Sequence, residues 1–110
     1  MSKYMMQFNY SHASIKGLVE QPQNRRAAAE AIFGKMGGTI SEMYFSFGDY
    51  DGLAIVDFPS DIDATAALLA VTASGAFAKT KTTVLIELED SVKSMEIARE
   101  TMSSYAVPAS

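Results

Sequence analysis

Residues 3–10 alternate cleanly. Tyr4, Met6, Phe8 and Tyr10 fall on one side and Met5, Gln7 and Asn9 on the other, which predicts a strand with bulk on both faces. Ser11 to Ser14 then offer a helix start. Ile15, Leu18 and Val19 give a short apolar stripe around Gly17, before Gln21-Pro22-Gln23-Asn24 interrupts it. A longer helix is predicted over 25–36, with Ala29, Ile32, Phe33 and Met36 inward, ended by Gly37-Gly38. Residues 39–47 read as a second strand, with Met43, Phe45 and Phe47 opposite Glu42, Tyr44 and Ser46. The chain turns at 48–51. A third strand, 52–58, is a dense apolar run closed by Pro59, which cannot donate to a ladder.

Ser60 is placed to cap a helix whose first turn holds Asp61 and Asp63, and which runs to about 74. This helix carries two apolar stripes. Ile62, Ala66, Leu69 and Ala73 form one; Ala64, Leu68 and Val71 form the other. A helix lying on a sheet needs only one apolar face, so the second predicts cover from another element. A fourth strand over 77–88 alternates Val84, Ile86 and Leu88 against Thr83, Leu85 and Glu87. An amphipathic helix over 89–104 follows, with Val92, Met95, Ala98, Met102 and Tyr105 on one side. It is a candidate lid for the preceding helix or for a neighbouring subunit.

The order is strand, helix, strand, strand, helix, strand, then a helical tail. Two strand–helix–strand units in series predict an α+β, ferredoxin-like βαββαβ domain: a four-stranded antiparallel sheet, helices on one face, and a C-terminal helix beyond a core of about 3–88. The other sheet face is bare in a monomer. Met5, Met43 and Leu85 are expected there, and large exposed apolar patches are uncommon in monomers. A homodimer or higher homo-oligomer is therefore expected, with sheets face to face as in dimeric α+β barrels.

Composition narrows the function classes. The chain has 110 residues, enough for one domain with a real core, and 48% hydrophobic and 20% charged residues, as in globular proteins. The net charge is −4 and no Lys/Arg block stands out, which argues against nucleic acid as a partner. There is no cysteine and one histidine, which excludes disulfides, thiol nucleophiles, thiolate zinc sites and multi-imidazole metal sites within one chain. The most apolar run, 64–77, is too short for a membrane span. A cytoplasmic protein without cofactor, metal or membrane partner is expected.

Several segments extend the pattern to a family. "YMMQFNYSHASIKGL", "RRAAAEAIFGKMGG", "YFSFGDYDGLAIVDFPSD", "AVTASGAFAKTKTTVL" and the ending "MSSYAVP" together resemble the GYD-domain family. Gly48, Tyr50 and Asp51 stand at the positions of its name. The resemblance implies a ferredoxin-like fold; the signature comes without an assigned chemistry, so no catalytic residue is carried over. Over the hairpin alone, Gly48-Asp49-Tyr50-Asp51 and the apolar strand after it are similar to a turn in the effector-binding domain of leucine-responsive transcription regulators. That similarity implies a stand-alone sensing module that binds a small metabolite near a subunit boundary.

Candidate site residues follow. Gly48-Asp49-Tyr50-Asp51-Gly52 has an ordinary reading as turn chemistry, with glycines at positive φ, Asp side chains capping backbone N–H groups and Asp51-Gly52 as a hairpin signal. Its functional reading puts Tyr50 and Asp51 in a ligand cleft at the end of the sheet. His12, just past the first strand, is either a surface residue or an acid/base group, with Lys16 one turn later on the same side. Lys79, Lys81 and Thr83 share one strand face and read as edge protection or as an anion site. Arg25 and Arg26 open a helix, where the dipole disfavours cations, which points to an inter-subunit salt bridge or an anionic ligand. The residues expected to line a ligand site are His12, Lys16, Tyr44, Gly48, Tyr50, Asp51 and Lys79. Three function classes fit: a small oligomeric metabolite-binding module, a cofactor-free enzyme using His12 or Asp51 as base with Tyr44 or Tyr50 as donor, and an assembly subunit without ligand.

Overall fold

The computed structural model describes residues 1–109. Its strands are β1 (Ser2–Tyr10), β2 (Thr39–Phe45), β3 (Gly52–Phe58) and β4 (Phe77–Leu85). Its helices are α1 (His12–Glu20), α2 (Arg26–Gly34), α3 (Asp61–Ala73) and α4 (Leu88–Thr101), the last followed by a 3-10 turn at Met102–Ser104. The sheet order is β2-β3-β1-β4 with every pair antiparallel, the ferredoxin-like arrangement that the alternating strand and helix patterns predict.

β1 lies between β3 and β4, and its even-numbered residues turn toward the helices. Tyr4, Met6 and Phe8 are buried with Ala54, Val56 and Phe58 of β3 and Ile40 of β2. Phe33 of α2 and Ala64 and Ala67 of α3 close this core from above, with Ala29, Ile32, Met36 and Val71 packed at its margin. Phe58 touches both Tyr4 and Phe33 edge-on, at centroid distances of 6.0 and 5.6 Å. Such geometry suits the aromatic quadrupole and fixes the angle at which the helices meet the sheet.

The caps follow the sequence. The Ser11 hydroxyl accepts from the Ser14 N–H and starts α1. The Ser60 hydroxyl accepts from the Asp63 N–H and starts α3, whose first turn holds Asp61 and Asp63. The Tyr4 hydroxyl reaches out of the core to donate to the Asp61 carboxylate, tying β1 to the start of α3.

Several details depart from the pattern. β2 ends at Phe45, opposite Gly52, because β3 begins there and residues 46 and 47 have no strand to pair with. β4 ends at Leu85, opposite Lys3, where β1 runs out; Leu88 begins α4 instead of closing the strand. Met43 packs at the margin of the core, on the helix side and not on the open face. A register shift between Ile40 and Glu42 puts Ile40 and Met43 on the same side although they lie three residues apart. Of the two stripes on α3, the sheet takes the one with Ala64 and Val71, together with Ala67, which belongs to neither; Ile62 and Leu69 are exposed.

The open face of the sheet carries Met5, Leu53, Ile55, Tyr44 and Leu85, with a Lys3–Asp57 ion pair at 3.1 Å at one end. α4 does not cover α3. It packs on little beyond its own terminal turn, and none of its residues is buried. The radius of gyration is 18.0 Å, against roughly 13 Å for a compact domain of this length. No helix among the described residues is long and apolar enough to cross a membrane.

Candidate functional site

The loop between β2 and β3 spans residues 46–51 and is not a two-residue turn. Its glycines are not there for backbone freedom, since neither Gly48 nor Gly52 has a positive φ. It is closed by side chains and by its own backbone: the Ser46 N–H donates to the Asp51 carbonyl at 2.8 Å and the Ser46 hydroxyl to the Tyr50 carbonyl at 2.6 Å. Gly52 has a packing role. A Cβ there would stand 2.6 Å from the Phe8 ring and 2.9 Å from the Tyr44 carbonyl.

Asp51 continues the β1–β3 ladder past its last paired residues, Phe8 and Gly52. Its N–H donates to the Phe8 carbonyl at 2.9 Å, and its carboxylate accepts from the Tyr10 N–H, also at 2.9 Å. The side chain thus supplies the rung that the departing backbone of β3 no longer provides. Beside it, the Asn9 amide donates to the Asp49 carbonyl at 3.2 Å, and the Lys79 ammonium lies 5.3 Å from the centre of the Tyr50 ring. Lys79 is the partner of Asn9 across the β1–β4 ladder, so the loop leans across the end of β1 to reach β4.

A cleft of about 550 Å³ opens on the other side of the same sheet end, between α1, α2, α3 and the strands. Met6, Phe8, Ala29, Ile32, Phe33, Leu68, Val71 and Phe77 make its wall largely apolar. A second lobe of about 500 Å³ lies toward the α1–α2 linker and β2, and shares Phe8, Tyr10, Leu18, Gln23, Arg25 and Met43 with the first. Among the described residues, the titratable side chains lining the two lobes are Tyr10, Arg25, Arg26 and Tyr44. Tyr10 stacks on Phe77 at 5.3 Å, and both meet Phe8 edge-on. Burial pushes the Tyr10 hydroxyl above its ordinary range; the Asp51 carboxylate adds to this and the Arg25 guanidinium opposes it.

Arg25 is aimed by Gln23, whose side-chain oxygen accepts from its guanidinium at 2.9 Å. Arg26 is held by the Ile40 carbonyl at 3.1 Å and lies 3.8 Å from Glu30 one turn on. The Asn24 side chain accepts from the Arg26 N–H at 2.9 Å, which supplies an acceptor at the start of α2 that the dipole argument against cations does not consider. The chemistry available is that of a cation and a phenol at the seam of a mainly apolar lobe and a more polar one, suited to holding an anionic head and an apolar body.

The seven residues singled out from the sequence fall into three places. Gly48, Tyr50, Asp51 and Lys79 gather at the loop. Tyr44 borders the second lobe, while its hydroxyl donates to Glu42 at 3.1 Å; that bond raises its pKa. His12 and Lys16 are exposed on α1, whose Ser14, Gly17 and Leu18 face the cleft. Tyr10, Arg25 and Arg26 are the titratable lining residues not in that set. The awkward position of Arg25 at a helix start was the signal available for it. Among the described residues, no group of three or more His, Asp or Glu stands together to hold a metal ion.

These features define an α+β domain of the ferredoxin-like class, with a helix–sheet cleft and a signature loop bonded to the strand beneath it. The chain belongs to the GYD domain family, whose model matches residues 4–95. No curated protein matches it. Among solved structures, it is similar to the crystal structure of FFRP-DM1, with a TM-score of 0.51 and 15% identity over 78% of this chain and 100% of that one. It is also similar to MtbAldR, with a TM-score of 0.54 and 15% identity over 78% of this chain and 52% of that one, so it spans about half of MtbAldR. At this identity the likeness shows the shared fold.

Proposed function

We propose that this chain is a small-molecule-binding module whose ligand is largely apolar and carries one anionic group, held in the helix–sheet cleft. The observation that carries this reading is the pairing of a mainly apolar cleft of about 550 Å³ with Arg25 as the charged residue of its lining. A volume of this size suits a metabolite-sized ligand. The guanidinium offers a forked donor to a carboxylate or phosphate, and the Tyr10 hydroxyl is within its electrostatic reach. Asp51 acts at one remove, by fixing the strand end that carries Tyr10. Tyr44 borders the second lobe, and Gly48, Tyr50 and Lys79 form the loop side of the same sheet end; His12 and Lys16 lie on the outer side of α1, away from the ligand.

The same reading includes self-association. The open sheet face is apolar at its centre, at Met5, Leu53 and Ile55, with Leu85 beside Lys3 at one end, and a second copy placed sheet to sheet would cover it.

The test is a thermal-shift screen of aliphatic and aromatic carboxylates, each paired with the alcohol of the same skeleton. A ligand present at ten times its Kd stabilises by about 1.4 kcal/mol, which raises Tm by roughly 5–10 °C for a domain near this size. The acids are expected to stabilise the wild type while their alcohols do not, and Arg25→Gln is expected to erase the difference. Equal shifts for acid and alcohol, or no shift with any acid, would overturn the reading.

A further inference from the structure

Two helices of this chain present uncovered apolar stripes of the same period. On α3 the sheet takes Ala64, Ala67 and Val71, and Ile62 and Leu69 stand on the opposite side, 81% and 62% exposed. They are seven residues apart, with Ala66 and Ala73 between and beyond them as shallow positions. Along α4 and the 3-10 turn after it, Leu88, Met95 and Met102 repeat at the same interval, Val92 widens the stripe and Tyr105 follows the turn; all five are exposed. A seven-residue repeat on two facing helices is the condition for knobs to enter holes.

We propose that α4 is an exchange arm, docking antiparallel on the outer face of α3 of a second copy, whose own α4 returns onto the first. The helices match in length, at 13 and 14 residues. Placing Met95 against Leu69 also places Met102 against Ile62. Arg99, in the last turn of α4, then lies within about one turn of Asp61 and Asp63. α3 contains those two acids and no basic residue, and at 3.6 residues per turn Arg99 stands on the Met95–Met102 side of α4 while Glu100 turns to its flank, so the residue brought toward the acids is the cation.

The same charges decide between a partner and the chain's own α3. Phe58 pairs with Ser2, and Leu85 with Lys3, so β3 and β4 finish at the same end of the sheet. α3 starts from that end, and α4 starts there too after the two-residue link Ile86-Glu87. An α4 folded back on its own α3 would therefore run parallel to it. Glu89 of the first turn of α4 would then stand at the end of α3 that holds Asp61 and Asp63, with Asp90 already paired to Lys93, and Arg99 would lie at the far end. Only a second copy offers the antiparallel seat. Area agrees: at roughly 100 Å² for each large apolar side chain, the five arm residues with Ile62 and Leu69 supply about 700 Å² per chain, near the ~800 Å² per partner of a stable interface.

The absence of native cysteine makes the test direct. The double variant Leu69→Cys/Met95→Cys, oxidised mildly and run without reductant, is expected to form a covalent dimer; a disulfide within one chain would overturn the proposal. By light scattering, Leu69→Arg and Met95→Arg are each expected to halve the wild-type mass with the circular dichroism spectrum unchanged, since both side chains are exposed in the single chain. A monomeric wild type, or an unchanged mass in both variants, would also overturn it. Adding Ile55→Lys, which charges the open sheet face, is expected to leave the cross-link in place; its loss there would assign the contact to sheet pairing and overturn the exchange.

Discussion

The carboxylate of Asp51 accepts a hydrogen bond from the backbone N–H of Tyr10 at 2.9 Å, joining residues 41 positions apart at the end of the central strand. The bond gives the signature acid a definite structural task. It extends the β1–β3 ladder where β3 departs, and it steadies the strand end whose next side chain on the helix side lines the cleft. A hydrogen bond to a charged acceptor is worth about 1.5–3 kcal/mol. Asp51→Ala is therefore expected to cost about that much in urea unfolding. Asp51→Asn, which keeps an acceptor oxygen and loses the charge, is expected to cost less than half as much.

The two glycines that bracket the loop differ in their tolerance. Gly48 has open space around a built Cβ and no positive φ, so Gly48→Ala is expected to change stability by less than about 0.5 kcal/mol. At Gly52 a methyl group would meet the Phe8 ring, itself wedged between Tyr10 and Phe77, and the Tyr44 carbonyl behind it. Neither neighbour is the free end of a flexible chain. Gly52→Ala is expected to cost about 1–3 kcal/mol, read as a lower urea midpoint at unchanged slope.

Much of the fold was legible because its signals are local. The alternation of Tyr4, Met6 and Phe8, the Ser11 and Ser60 caps and the inward set Ala29, Ile32, Phe33 and Met36 are all found as the sequence implies. What was not legible depends on distant partners. The end of β2 is set by where β3 begins, and the end of β4 by where β1 runs out. The side taken by Met43 depends on a bulge near Ser41. The bond made by Asp51 has a backbone group as its partner, and backbone groups leave no mark in sequence. The cleft is assembled from three helices and a sheet, each contributing a few ordinary apolar residues, so no single stretch announces it.

α3 shows how two equal apolar stripes are resolved. The buried side is built on Ala64 of one stripe and on Ala67, which belongs to neither stripe and is fully inaccessible, and such small side chains let the helix backbone come close to the sheet. A larger residue there would have to lift the helix off Val56 and Phe58, which are themselves fully buried. Ala67→Leu is accordingly expected to destabilise by about 1–3 kcal/mol. The effect should appear both in the unfolding midpoint and as faster amide exchange across α3.

Two tyrosines on the helix side of β1, buried Tyr4 and half-buried Tyr10, give the fold a stability that depends on alkaline pH. Tyr10 is raised above the ordinary phenol range chiefly by burial, with the Arg25 guanidinium opposing and the Asp51 carboxylate adding to the effect. Tyr4 is raised chiefly by its hydrogen bond to Asp61 and then by burial. A phenol whose pKa is higher in the folded state than in the unfolded one keeps its proton longer when folded. Below pH 10 both states are protonated and these groups contribute no slope. Above it the unfolded chain loses protons first, and stability falls until the pH passes the folded-state value. Urea unfolding measured from pH 8 to 11.5 should therefore be flat with respect to these two residues and then decline. Tyr10→Phe should shallow the decline without removing it, since Tyr4 contributes as well. Tyrosinate absorbance on the native protein should contain a late-titrating fraction to which Tyr4, Tyr10 and Tyr44 contribute, and Tyr10→Phe should reduce it; an unchanged late fraction in that variant would contradict the assignment.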